Sequence, residues 1–158
     1  MYERMLGDGE LVLLGGRVVP VGLFLSEALL RLGRPQAIAA DRWRQGELED
    51  GVREAGLRLP YPTWRGQGWK DGSEDVRGFR AAVLEGRVAA PVSLAMRAAL
   101  AEARTVSDSA ANEKIAKSAE GTKRQRGRDD LAAAIALSVA LGDRLPQTTG
   151  RACLGLVA

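Results

Sequence analysis

The chain has 158 residues, 46% of them hydrophobic and 27% charged, with a formal net charge of +3. Those proportions exclude a disordered chain, and the length suffices for one hydrophobic core, so a single globular domain is the expectation. There is no histidine and one cysteine, Cys153, which excludes an intramolecular disulfide, a zinc site built from Cys and His, and every His-assisted nucleophile.

Any catalysis must therefore use carboxylates, Lys, Arg, Tyr, Ser or a bound metal. No apolar run approaches the roughly 20 residues that span a bilayer, and "MYERMLGDGE" lacks a basic stretch followed by an apolar one, so a cytoplasmic protein without a membrane partner is expected. The cations are 19 Arg against 4 Lys. Arginine is the better bidentate partner for phosphate, which admits a nucleic-acid partner, while a GC-rich genome accounts for the same bias equally well.

In chain order, "MYERMLGDG" reads as a short helix stopped by Gly7 and Gly9. "ELVLLGGRVVPV" predicts two short strands around a Gly15-Gly16 hairpin turn, with Pro20 keeping the second at an edge. "GLFLSEALLRLG" predicts a mostly buried helix ended by Gly33, and "PQAIAADRW" a short, fully buried strand closing on Asp41. A helix follows in "GELEDGVREAG", an extended segment in "LRLPYPTWRG" and a loop in "GQGWKDG".

"SEDVRGFRAAVLEG" predicts a helix capped by Ser73, "RVAAPV" an extended piece, and "SLAMRAALAEA" a helix from Ser93. "RTVSDSAANEKIAKSAEG" predicts a hairpin turning at "DSAAN", with Thr105-Val106 and Lys114-Ile115 on its arms. The last helix runs from Asp129 or Asp130 to about Leu141, and residues 145–158 form an irregular tail. This order predicts an α/β fold with at least one parallel βαβ unit, a three-layer sandwich.

Asp41 stands at the C-terminal end of a buried strand, where open α/β sheets place their chemistry, although a salt bridge to Arg42 or Arg44 or a helix cap explains it as well. Asp129 and Asp130 begin a helix, where one carboxylate is an ordinary cap and two adjacent ones need a cation nearby. Arg126 and Arg128 are placed to supply it, as is a divalent ion.

Mg²⁺ and Mn²⁺ take oxygen ligands, and two-metal nucleases draw carboxylates from separate elements, so Asp41 and Asp130 are candidate ligands of one site. Lys114, Lys117, Lys123, Arg124, Arg126 and Arg128 are then candidate DNA phosphate contacts, against the plainer reading of a solvated basic loop. Trp43, Trp64 and Trp69 suit base stacking, but packing is the readier explanation. No phosphate-loop motif is present.

Taken together, "AIAADRWRQGELEDGVREAG", "DGSEDVRGFRAAVLEGRV" and "SDSAANEKIAKSAEGTKRQRGRDDLAAAIALSVALGD" resemble, in order and spacing, the C-terminal nuclease domain of the large terminase subunit of tailed phages and phage-like gene transfer agents. The resemblance covers roughly Tyr2 to Arg144 and implies a nuclease domain over 1–144. It implies an RNase H-like three-layer sandwich with a mixed central sheet, and a metal-dependent endonuclease cutting concatemeric double-stranded DNA during packaging in the host cytoplasm.

By the same resemblance, Asp41 matches the central-strand acid, Asp130 the last-helix acid, and Asp129 a helper, around a two-metal Mg²⁺ or Mn²⁺ site. The terminase ATPase domain, the small subunit and the portal are the implied protein partners. The family's first acidic strand would fall before Tyr2. The expectation is thus an N-terminally truncated domain lacking its first strand, with an exposed sheet edge open to homodimerisation. A catalytically inactive remnant that binds DNA or docks protein, and another RNase H-like nuclease such as a junction resolvase, are the alternative readings.

Overall fold

Ile38–Asp41 forms β1, and all four of its residues are buried, as small and β-branched side chains in a parallel sheet require. The computed structural model describes residues 1–16, 18–33, 35–58, 60, 63–116, 128–145 and 154–155. Before β1 come helices α1 (Tyr2–Gly7) and α2 (Val21–Leu32). After it a 3-10 turn, Arg42–Arg44, leads into α3 (Gln45–Glu54) and then β2 (Thr63–Arg65).

The chain continues through α4 (Trp69–Leu84), α5 (Leu94–Glu102), the antiparallel hairpin of β3 (Thr105–Ser107) and β4 (Glu113–Ile115), α6 (Arg128–Arg144) and β5 (Leu154–Gly155).

The main sheet has the order β2-β1-β5 with both pairings parallel, and the antiparallel pairing belongs to the separate β3-β4 hairpin. From β1 the chain crosses to β2 on one side, and from β2 it crosses back past β1 to β5 on the other. Such crossovers are right-handed as a rule, so their opposite directions place α3 and α6 on opposite faces, a three-layer arrangement in which α6 packs on β1 and β5. Strand order reverses beside β1, so its C-terminal end is the switch point where such sheets open a crevice. Asp41 is the residue at that end.

Ala39, Leu137 and Leu141 form the core under the sheet, with Ala37 packed against them. Alanines let α6 lie close to its neighbours: Ala132, Ala134, Ala136 and Ala140 are all buried. On α4, a Cβ at Gly78 would stand 3.2 Å from that of Ala140. The contact of α2 with α3 is tighter still, since a Cβ at Gly22 would lie 2.6 Å from the Gly51 carbonyl oxygen.

Four expectations are corrected. Among the described residues, 8–20 contain no strand: Val12, Leu13, Val18 and Val19 are exposed, and a two-stranded hairpin with no sheet to join is marginal. Helix α2 is not mostly buried, because Leu25 is its buried side chain while Leu23, Phe24, Leu30 and Leu32 are exposed. Helix α4 starts at Trp69, not at Ser73, so the "GQGWKDG" loop is half helix and Ser73 is a buried interior residue. Within the tail expected to be irregular, Leu154–Gly155 adds a strand to β1.

Candidate functional site

At the C-terminal end of β1 lies a cleft of about 390 Å³, bounded by the β2–α4 connection, β4 and the first turns of α6. Asp41 and Asp130 both line it, so the strand-end acid and the helix-start acid come to one cavity from separate elements. Asp41 is 7% exposed; Asp130 is exposed to solvent.

The Asp41 carboxylate accepts two hydrogen bonds from neutral donors. Its Oδ1 accepts from the Trp43 backbone N–H at 3.0 Å, capping the 3-10 turn, and its Oδ2 accepts from Gln67 Nε2. Among the described residues it has no ion-pair partner, neither Arg42 nor Arg44; Arg44 pairs with Glu47 at 2.6 Å instead. A carboxylate so enclosed and left without a cation has unmet electrostatic demand.

Gln67 is placed by the loop that carries it. Asp41 and Arg65 are register partners across β1 and β2, so the chain passes beyond Asp41 before it turns. There the Gly66 N–H donates to Asp71 Oδ2 at 2.6 Å, folding the loop back onto the start of α4. Gln67 Nε2 reaches Asp41, and its Oε1 is buried with no hydrogen-bond partner among the described residues. Rotating the amide would set Oε1 against a carboxylate oxygen, so the orientation follows from the chemistry of the pair.

A third acid on the cleft, Asp75, is already neutralised. Arg65 Nη2 binds its Oδ1 at 2.8 Å, and Arg144 Nη2 the same oxygen at 3.3 Å. Arg65 also meets Glu74 at 3.1 Å and Asp71 at 3.5 Å. Burial pushes the Asp75 carboxyl above its ordinary value, against the opposing pull of Arg65 and Arg144. Burial alone would lower the Arg65 pKa, but Asp75 first, then Glu74 and Asp71, hold it above the ordinary one.

Of the sequence-predicted cations, Lys114 lines the cleft, with its Nζ 4.5 Å from the Trp69 ring centroid in a cation–π contact. Helix α4 passes so close to β4 that a Cβ at Gly72 would lie 2.9 Å from Lys114 Cβ. Lys117, Lys123, Arg124 and Arg126, and the side chains of Arg128 and Asp129, lie outside the described residues. Trp64 is half-buried and Trp69 sits beneath Lys114, whereas Trp43 is 84% exposed, so packing does not explain it.

The cleft carries oxygens of the kind a hard cation takes: the carboxylates of Asp41 and Asp130 and the Gln67 amide oxygen, which has no partner among the described residues. Among the described residues no group of three or more His, Cys, Asp or Glu gathers to hold a metal. Sequence reasoning missed Gln67, a loop residue with no periodic signal. It also missed the Arg65–Asp75 network, although Asp75 stands seven residues before buried Ala82 on the inward stripe of α4.

No family model matches the chain, and no curated protein matches it. Among solved structures, the crystal structure of the HK97 bacteriophage large terminase is similar, at 27% sequence identity and a TM-score of 0.76, over 89% of this chain and 28% of that one. The chain thus spans under a third of the terminase it matches.

Proposed function

We propose that this terminase-like domain is a metal-dependent DNA endonuclease, with Asp41 and Asp130 as ligands of Mg²⁺ or Mn²⁺ and Asp129 beside them. The reading is carried by one observation: two acids from distant parts of the chain line one cleft, and the buried one lacks a cation partner among the described residues. A bound divalent ion would supply Lewis acidity and an activated water for phosphodiester hydrolysis.

The chain's own residues do the rest. Asp41, fixed by Trp43 and Gln67, presents an oriented carboxylate, and Asp130 lines the same cleft. Lys114 at the cleft, with Lys117, Lys123, Arg124, Arg126 and Arg128, would hold the phosphates. Concatemeric double-stranded DNA as substrate, the ATPase domain, small subunit and portal as partners, and pairing of two copies along a sheet edge belong to the same proposal.

Asp130→Asn is expected to abolish Mn²⁺-dependent plasmid nicking while leaving the circular dichroism spectrum intact; nicking at the original rate would remove Asp130 from the site. A DNA-binding domain without cleavage is the second reading, favoured because no group of three or more His, Cys, Asp or Glu gathers to hold a metal among the described residues. It predicts no nicking by the unaltered chain, with salt-sensitive DNA binding that falls on Arg126→Ala and Arg128→Ala.

A further inference from the structure

We infer that Gln67 is a positioning residue of the metal site: Nε2 fixes Asp41 and Oε1 completes the oxygen donor set for the cation, directly or through a water. The inference rests on the metal-site reading above and extends it to a residue outside the acidic set.

Gln67 Oε1 is a buried acceptor with no hydrogen-bond partner among the described residues, a condition that folded chains rarely retain without a use. It touches Asp41 through a hydrogen bond and lines the same cleft as Asp130. Its loop is held at both ends, by Arg65 bonding the Asp71 carbonyl at 3.1 Å and by Gly66 donating to the Asp71 carboxylate. A Cβ at Gly66 would lie 3.1 Å from that carboxylate oxygen, so the turn is closed tightly enough to favour glycine.

An amide in this place does what a carboxylate could not. It donates to Asp41, where a Glu would repel it, and it still offers a neutral oxygen to a cation. With one amide serving both ends, entry of the ion need not displace the hydrogen bond that orients Asp41. This is the arrangement in which outer partners of a metal ligand set its geometry and affinity.

The test is Mn²⁺ binding to the full chain by titration calorimetry, with thermal unfolding in EDTA and in Mn²⁺ as a second readout. Gln67→Leu is expected to weaken Mn²⁺ affinity by about 10–100-fold with its circular dichroism spectrum unchanged. Gln67→Glu, which sets a second carboxylate against Asp41, is expected to unfold at a lower temperature in EDTA and to gain more from Mn²⁺ than the unaltered chain. Wild-type affinity in Gln67→Leu together with a normal Mn²⁺ gain in Gln67→Glu overturns the inference while sparing the metal site. Failure of the unaltered chain to bind Mn²⁺, or indifference of its binding to Asp41→Asn, overturns both.

Discussion

Asp41 and Arg65 are register partners on adjacent parallel strands, yet Arg65 directs its guanidinium to Asp71, Glu74 and Asp75 while Asp41 takes neutral donors. The nearest strand cation is thereby committed elsewhere, and the charge at the strand end stays uncompensated by it. A buried charge left so costs stability.

Asp41→Asn should therefore raise the unfolding temperature in EDTA. The neutral side chain keeps its acceptor for the Trp43 N–H, and Gln67 can turn its amide to meet the new one, so the gain comes from removing a buried charge that has no cation partner among the described residues. A gain of about 0.5–2 kcal/mol is expected in denaturant titration without metal. A clear loss would mean that Asp41 is held chiefly as a structural cap.

Asp75 is the opposite case, a buried carboxylate whose removal leaves two arginines facing each other. Asp75→Ala is expected to destabilise the fold by about 3 kcal/mol, since one partner of a buried ion pair is left unmatched. Urea unfolding measures it, and a change below about 0.5 kcal/mol, the range of surface substitutions, would show that Glu74 and Asp71 replace it fully.

Glu10 gives the pH dependence. Its carboxylate accepts from the Ala95 N–H at 2.7 Å and the Leu94 N–H at 2.9 Å, tying the N-terminal segment to the start of α5. Those backbone bonds, Ala95 first, hold its carboxyl below the ordinary 4.5. A depressed folded value means that the contribution is complete above about 4.5 and is lost as pH falls through the folded value. The unfolding temperatures of the unaltered chain and Glu10→Gln should differ by a constant amount above pH 5.5, converging below 4.5; parallel profiles down to pH 3 would contradict the link.

Gly72→Ala probes the approach of α4 to the hairpin. The new methyl would meet Lys114 Cβ at 2.9 Å, an overpacking cost of about 1–3 kcal/mol against a helix-propensity gain of about 1. A net loss near 1 kcal/mol is expected, with altered tryptophan fluorescence as Lys114 shifts over Trp69. Unchanged stability and emission would show that β4 yields freely.

What the sequence disclosed was local. Ser93 caps α5 by accepting from the Met96 N–H at 3.1 Å, and Asp108 organises the "DSAAN" turn by accepting from the Ala110 and Asn112 N–H groups, so short-range chemistry identified both. Asp41 was legible because a run of small apolar residues ended on a charge. Gln67 and the pairing of Leu154–Gly155 with β1 were not, since each depends on partners far along the chain: residue 67 on residue 41, and residues 154–155 on residues 38–39. The Gly15-Gly16 turn misled because a turn signal says nothing about whether a sheet waits for the strands.

The placing of β1 between two neighbours also sets the stiffness of the cleft. β2 pairs with Ala39, Ala40 and Asp41, β5 with Ile38 and Ala39, and all four residues of β1 are buried, so the amides of β1 are expected to exchange more slowly than those at the start of α6. Asp130 rides on the first turn of α6, and helix ends open at far lower free energy. The acid on the strand is therefore expected to hold its place more firmly than the acid on the helix end, so any change in the width of the cleft would come from the start of α6 rather than from the sheet.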